Sequence, residues 1–236
     1  MPHSLQENRN RRIEIQGASN VRDLGGYFTK DGKRTKWGKY VRADSLHQLP
    51  IKSQNSLREY GVRYVVDLRY PDEGTYQLEE QLNIQYWNVP LHNPADLKKE
   101  RINTLVELYC QLIDTRQDKI YQVTQHFVST DDKTVLFHCK AGKDRTGIVA
   151  ALLLDLVGVP RETIVQDYAM TSQFNNLLDK LRKARPSYVD SERYEALLQC
   201  PPEFMEEFLD YLYENYGNGE DYLKTRGYSG KNAGTT

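Results

Sequence analysis

The chain has 236 residues, a formal net charge of -1 and a hydrophobic fraction of 39%. That is enough for one α/β domain with a sizeable core, and too balanced in charge for a global nucleic-acid-binding field. Cys110, Cys139 and Cys200 are too few and too far apart for a disulfide scaffold, and no pair has the spacing of a metal site.

Residues 1–15 are polar and charged, including Arg9-Asn10-Arg11-Arg12, and read as a loosely held arm. Nothing at the start has the apolar stretch of a signal peptide, and no apolar run is long enough to span a bilayer. A cytoplasmic protein is expected, unless a leader has been removed. Asn20 to Tyr27, with two adjacent glycines, reads as a loop with unusual backbone angles. Lys33 to Ala43 alternates as a hairpin or edge strands around Trp37-Gly38. Leu49 to Tyr60 has helical spacing, with Gly61 as its stop. Val62 to Val66 is a buried strand that delivers Asp67 and Arg69 just past its C-terminal end, the edge where open α/β sheets bind ligands.

Ile84 to Leu91 is a further strand candidate. Leu97 to Ile113 reads as a long amphipathic helix, and Ile120 to Val128 as a shorter one. Thr134 to Phe137 is a short buried strand, and Ile148 to Val157 an apolar helix interrupted by Asp155 and stopped by Gly158 and Pro160. Pro160 opens another helix with Ile164, Tyr168 and Thr171 on one face. Leu177 to Ala184 continues helically, and Asp190 or Ser191 caps a short helix to Gln199. After Pro201-Pro202, Phe204, Phe208 and Leu212 form a core stripe ended by Gly217. Asp221 to Thr225 adds a last turn, and residues 229–236 read as a tail. The seventeen tyrosines are scattered and read as core and surface aromatics. The whole chain, 1–236, reads as one domain.

Between the strand at 134–137 and the helix that follows it lies Cys139-Lys140-Ala141-Gly142-Lys143-Asp144-Arg145. Gly142 lets the backbone turn tightly, so that successive amides converge on one concave nest. The helix starting near Thr146 aims its positive end at the same place, and Arg145 adds a planar fork for two phosphate oxygens. A thiol in that field loses its proton below its free pKa of about 8.5. The stretch therefore combines an anion site with a nucleophile. A nucleotide-binding loop is excluded, because Asp144 follows Gly142-Lys143 where Ser or Thr is needed and the earlier glycine is missing.

His138-Cys139-x5-Arg145-Thr146 resembles the signature loop of the protein tyrosine phosphatase superfamily. The spelling HCKAGKDRTG is similar to the bacterial tyrosine and lipid phosphatases with an AGKDRTG loop. Asn20-Val-Arg22-Asp23-Leu-Gly25-Gly26-Tyr27 resembles the N-terminal motif of that branch, and Val66-Asp67-Leu68-Arg69 its D-L-R stretch. Together they cover residues 18 to 228.

The resemblance implies a central, mostly parallel sheet flanked by helices, with extra C-terminal helices, and a lid formed by residues 161–199. It implies hydrolysis of phosphomonoesters through a thiophosphate enzyme, acting on phosphotyrosine proteins and extending to phosphoserine, phosphothreonine and phosphoinositides. No cofactor or metal is implied, nor any nucleic-acid partner.

Cys139 is then the nucleophile, Arg145 stabilises the transferring phosphoryl group, and Thr146 donates to the departing sulfur. Asp144 is the candidate general acid, or else an ion-pair partner of Arg145 or Lys143, with Asp67 as runner-up and Asp23 as a distant third. His138, Lys140, Ala141, Gly142 and Lys143 line the phosphate. Lys140 and Lys143 favour a polyanion, or else raise only the local potential. Arg22 and Asp23 either border the site or brace their loop as an ion pair. The competing readings are a phosphate-binding regulatory module with negligible turnover, which would not need the thiol, and a sulfurtransferase, against which the Arg-Thr ending argues.

Overall fold

The computed structural model describes residues 10–47, 49–74, 78, 80–92, 104–185, 187 and 190–225. Five strands form one sheet: β1 (Arg22–Asp23), β2 (Tyr40–Ala43), β3 (Val62–Asp67), β4 (Gln85–Asn88) and β5 (Thr134–His138), in the order β1-β2-β5-β3-β4. The β1–β2 pair is antiparallel and the other pairs are parallel. The helices are α1 (Ile51–Tyr60), α2 (Leu105–Thr115), α3 (Gln117–Val128), α4 (Asp144–Leu156), α5 (Arg161–Ala169), α6 (Asn175–Lys183), α7 (Ser191–Leu198), α8 (Pro202–Tyr216) and α9 (Gly219–Lys224). No described helix is long and apolar enough to cross a membrane.

Both faces of the sheet are covered, and strand alternation decides which residue faces which helix layer. Val135 and Phe137 of β5 join a large core with α2, α3, α4, α5 and α8. Leu136 points the other way, into a second core with Leu57 of α1 and with Ile15 and Val21. In β3 the register against β5 slips between Val62 and Tyr64. This bulge turns Val62 and Val65 to the same face, which simple alternation would forbid.

Local signals set the helix ends. Gly61 adopts φ 116° and its amide closes α1 onto Leu57 and Arg58; a side chain there would be strained. Thr104 and Glu107 form a reciprocal capping box at the start of α2. Central helix α4 is buried from Arg145 through Leu154. That agrees with its lack of a polar face.

Three expectations change. Residues 33–43 are not a hairpin: Thr35 pairs back with Gly26 and Tyr27, and β2 is an interior strand between β1 and β5. The long helix expected from 97 to 113 begins, within the described residues, at Leu105, and residues 97–103 lie outside them. The N-terminal arm is held from Arg11 on. Arg11 donates to the carbonyls of Asp23 and Gly25 and stacks 3.6 Å over the Tyr27 ring, while Ile13 bonds Val21 and Ile15 is buried.

Candidate active site

Strand β5 ends at His138, the loop runs from Cys139 to Lys143, and α4 begins at Asp144. Gly142 has φ +64°, and a Cβ on it would lie 2.5 Å from the carbonyl oxygen of Ala43. Glycine is therefore required both by the turn and by the close approach of β2. Cys139 is 2% exposed.

The backbone groups of this loop divide cleanly. The carbonyl of His138 accepts from the Leu68 amide at 2.8 Å, and that of Lys140 from the Ser45 amide at 3.1 Å. The carbonyl of Cys139 accepts from Nδ1 of His138 at 3.2 Å. Nδ2 of Asn20 donates to the carbonyl of Ala141 at 2.9 Å and to that of Gly142 at 3.2 Å. The Gly142 carbonyl also takes Nη2 of Arg42 at 2.8 Å, and that of Lys143 takes the Gly147 amide at 2.7 Å. Every carbonyl from His138 to Lys143 thus has a donor. By contrast, none of the amides from Lys140 to Thr146 donates to a described acceptor. Buried amides need partners, and a row of uncommitted ones at a helix N-terminus is an anion receptor.

Arg145 is held by a residue the sequence reading did not single out. Its Nη1 and Nη2 both reach the carboxylate of Glu73, the latter at 2.8 Å. Burial opposes charge on both partners. The hydrogen bonds and opposite charges outweigh it, holding Glu73 below the usual carboxylate range and Arg145 above its usual value. Glu73 ends a short 3-10 turn, Pro71–Glu73, that opens with a capping box on Tyr70. Because Glu73 takes the two terminal nitrogens, the Nε side of the guanidinium carries no described bond to another residue.

Asp144 has a side chain 25% exposed. Its Oδ1 accepts from Nζ of Lys143 and from the Tyr109 hydroxyl, both at 2.5 Å. Oδ2 takes no described bond. The Tyr109 hydroxyl in turn meets that of Tyr168 at 2.8 Å. Burial first, then the Asp144 charge, raises the pKa of both phenols, so they stay protonated. Lys143 is 2% exposed and faces Asp144, not the mouth of the loop. Lys140 alone of the two lysines is exposed. The Thr146 hydroxyl is buried without a hydrogen-bond partner.

Asp67 lies at the same sheet edge as the loop, in register with His138, but its surroundings differ. Both of its oxygens bond Arg69, at 2.7–3.0 Å, and Oδ2 also accepts the Tyr86 hydroxyl at 2.7 Å. Burial opposes ionisation, yet the carboxyl is held below its ordinary range, with the hydrogen bonds and charge of Arg69 favouring the ionised form. Donors thus occupy both carboxylate oxygens, which argues against Asp67 as the acid. Burial pushes His138 down to about 4 despite Asp67, so the ring is neutral and its Nδ1–H orders the Cys139 carbonyl.

Arg22 and Asp23 are fully buried and neither pairs with the other. Asp23 ties the amides of Gly25 and Gly38, at 2.6 and 2.7 Å, and the Tyr60 hydroxyl at 2.5 Å. Arg22 bonds Asp167 of α5 and Oδ1 of Asn20. Neither side chain borders the phosphate loop. Within that motif it is Asn20 that reaches the loop, and short polar side chains that bond backbone groups leave no periodic signal in a sequence. In the 161–199 stretch, α5 belongs to the core. The cluster of Phe174, just before α6, with Leu177 and Leu181 of α6 and Leu198 of α7 packs against Ala141 of the loop.

A family model described as "Tyrosine phosphatase family" matches residues 13–233. A tyrosine-protein phosphatase of Nostoc commune is 32% identical over 211 residues, covering 80% of this chain and 70% of that protein. The triple specificity protein phosphatase PtpB of Mycobacterium tuberculosis is 33% identical over 221 residues, covering 78% of this chain and 76% of that protein. A putative tyrosine-protein phosphatase of Cupriavidus necator is 25% identical over 219 residues, 87% of this chain and 80% of that protein. With a match that spans nearly the whole chain, the protein belongs to the tyrosine phosphatase family of enzymes.

Proposed function

We propose that this phosphatase hydrolyses phosphotyrosine in proteins in two steps, with Cys139 as nucleophile. The Cys139 thiolate attacks phosphorus, the S–P bond forms and the ester P–O bond breaks. The leaving oxygen takes a proton from Oδ2 of Asp144. Water then attacks phosphorus and gives its proton to the same oxygen, while the thiolate leaves. Thr146 supports that departure, because its buried hydroxyl has no other described partner. The loop amides and Arg145 carry the charge that spreads over the equatorial oxygens.

The observation that carries this reading is the division of the loop: carbonyls bonded outwards, amides uncommitted around a buried thiol. Asp144 is favoured over Asp67 as acid because two donors engage its Oδ1 and leave Oδ2 available. The mycobacterial relative is named a triple specificity protein phosphatase, which supports a substrate range wider than phosphotyrosine; phosphoserine, phosphothreonine and phosphoinositides are the extension proposed here. For a polyanionic substrate, the attraction beside the first phosphate rests on Lys140, since Lys143 is paired with Asp144.

The test is Cys139→Ser. Turnover of an aryl phosphate should vanish while inorganic phosphate still binds, because the amides and Arg145 remain. Substantial turnover by that variant would remove Cys139 from the mechanism.

A further inference from the structure

The amides of a phosphate loop face inwards only if something holds the peptides over. A peptide is planar and trans, so a carbonyl turned one way sends the next residue's N–H the other way. The carbonyls of His138, Lys140 and Lys143 are held by the backbone amides of Leu68, Ser45 and Gly147, and that of Cys139 by the ring of its own neighbour His138. The two peptides at its crest, Ala141–Gly142 and Gly142–Lys143, are held by side chains instead. Asn20 holds the first, and Asn20 and Arg42 together hold the second. Gly142, at φ +64°, has no intrinsic preference that would do this work.

Asn20 and Arg42 are anchored in turn. Alternation along β2 puts Val41 and Ala43 into the second core and turns Arg42 the other way, towards α5. There its Nη1 bonds Oδ2 of Asp167 at 2.5 Å. Arg22 bonds Oδ1 and the backbone carbonyl of the same residue, at 3.1 and 2.7 Å, and donates its Nη1 to Oδ1 of Asn20. Tyr27 adds its hydroxyl to Asp167 at 2.9 Å. The backbone N–H of Asn20 donates to Oδ1 of Asp44, at 2.9 Å.

All three charged side chains are at most 1% exposed. Burial opposes the charge on Asp167, but Arg22 and Arg42 outweigh it and keep the carboxyl well below its usual range. The network also sets the Asn20 rotamer. Flipping its amide would set an oxygen against two carbonyls and an NH2 against a guanidinium.

We propose that Asn20 and Arg42 are positioning residues of the phosphate loop. Braced by Arg22 and Asp167, they turn the Ala141 and Gly142 carbonyls outwards and so aim the Gly142 and Lys143 amides at the bound phosphoryl group. Arg42 also polarises the Gly142–Lys143 peptide, since a charged donor on a carbonyl strengthens what the neighbouring N–H can donate. The inference rests on the reading of this loop as the phosphoryl site. An inactive wild-type enzyme would sink that reading, whereas normal phosphate binding by the variants below would sink only this one.

The experiment measures inhibition by inorganic phosphate, kcat and KM for an aryl phosphate, and Tm, for Asn20→Ala, Asn20→Asp and Arg42→Lys. Loss of a single aligned donor to a developing oxyanion is worth about 10²–10³ in rate. A misaimed donor should cost less, on the order of tenfold to a hundredfold. Asn20→Ala should therefore weaken phosphate inhibition about tenfold and lower kcat/KM at least as much. Asn20→Asp keeps the shape and the link to Arg22 but sets a carboxylate against two carbonyls. It should fold, with phosphate affinity below that of the Ala variant.

Arg42→Lys keeps the charge but cannot serve Asp167 and the Gly142 carbonyl together. It too should lose phosphate affinity, and it provides the reading if an Asn20 variant does not fold. Wild-type phosphate inhibition and turnover per folded molecule in these variants, whatever their Tm, would overturn the proposal and leave the network a purely structural one.

Discussion

The Tyr109 hydroxyl lies 2.5 Å from Oδ1 of Asp144, the oxygen that also accepts from Lys143. With two donors on one oxygen, the carboxyl group cannot rotate freely, and in the proposed mechanism Oδ2 is the atom that exchanges protons with the leaving group. Asp144→Asn should therefore slow an alkyl phosphoserine substrate by about two to four powers of ten. A nitrophenyl phosphate, whose phenolate departs with little help, should be slowed far less. Tyr109→Phe should show a milder version of the same leaving-group dependence. Equal slowing of both substrates by Asp144→Asn would make that residue structural.

Asp67 gives the complementary result. Its two oxygens are committed to Arg69 and Tyr86, so Asp67→Asn should affect good and poor leaving groups alike. It should also destabilise the fold, because Arg69 would be left buried without its countercharge, a loss of up to about 3–5 kcal/mol in comparable cases. Thermal unfolding alongside the same two substrates reads both effects. A leaving-group-dependent defect here would return the acid role to Asp67.

Glu73 holds both terminal nitrogens of the Arg145 guanidinium. Glu73→Gln preserves the shape but loses the charge and one accepting oxygen. Hydrogen bonds to charged groups are worth about 1.5–3 kcal/mol. Phosphate inhibition and kcat/KM should thus both weaken by about ten- to a hundredfold. Tighter phosphate binding by Glu73→Gln would instead mean that the carboxylate competes with substrate for Arg145.

His138 makes stability depend on pH. Burial lowers its pKa from 6.5 to about 4 in the folded state. Between those values the unfolded chain binds a proton that the folded one does not, so stability falls as pH drops through that window. The shift corresponds to about 3 kcal/mol at full extent. Below it, protonation of Asp167 and Asp67, both depressed in the fold, removes more. Urea unfolding across this range should show the loss, and His138→Gln should flatten its upper part. A flat profile in the native protein would contradict a buried neutral imidazole.

The strand, loop and helix carrying Cys139 were legible because strand period, glycine and an all-apolar helix are local signals. The shared sheet edge of Asp67 and Cys139 followed on condition that their strands are parallel, as they are. What was not legible depends on elements distant in sequence. Glu73 gains meaning only when its turn meets Arg145, 72 positions later. Lys143 read either as a substrate contact or as an ion-pair partner of Asp144, and only the fold sets it against Asp144. Arg22 and Asp23 carried the charge in their motif, but alternation and burial gave the loop contact to Asn20, and the brace behind it came from Asp167 on α5.

The most direct test of the two-step mechanism is to look for the phosphoenzyme. Asp144→Asn, mixed rapidly with nitrophenyl phosphate and quenched, should gain the mass of one phosphoryl group, mapped by peptide analysis to Cys139. The carboxamide of this variant cannot accept the proton of the attacking water, so the second step is slowed and the intermediate accumulates. The adduct should be missing when Cys139 is also replaced by Ser. A phosphoryl group on any other residue, or turnover that persists without Cys139, would contradict the account.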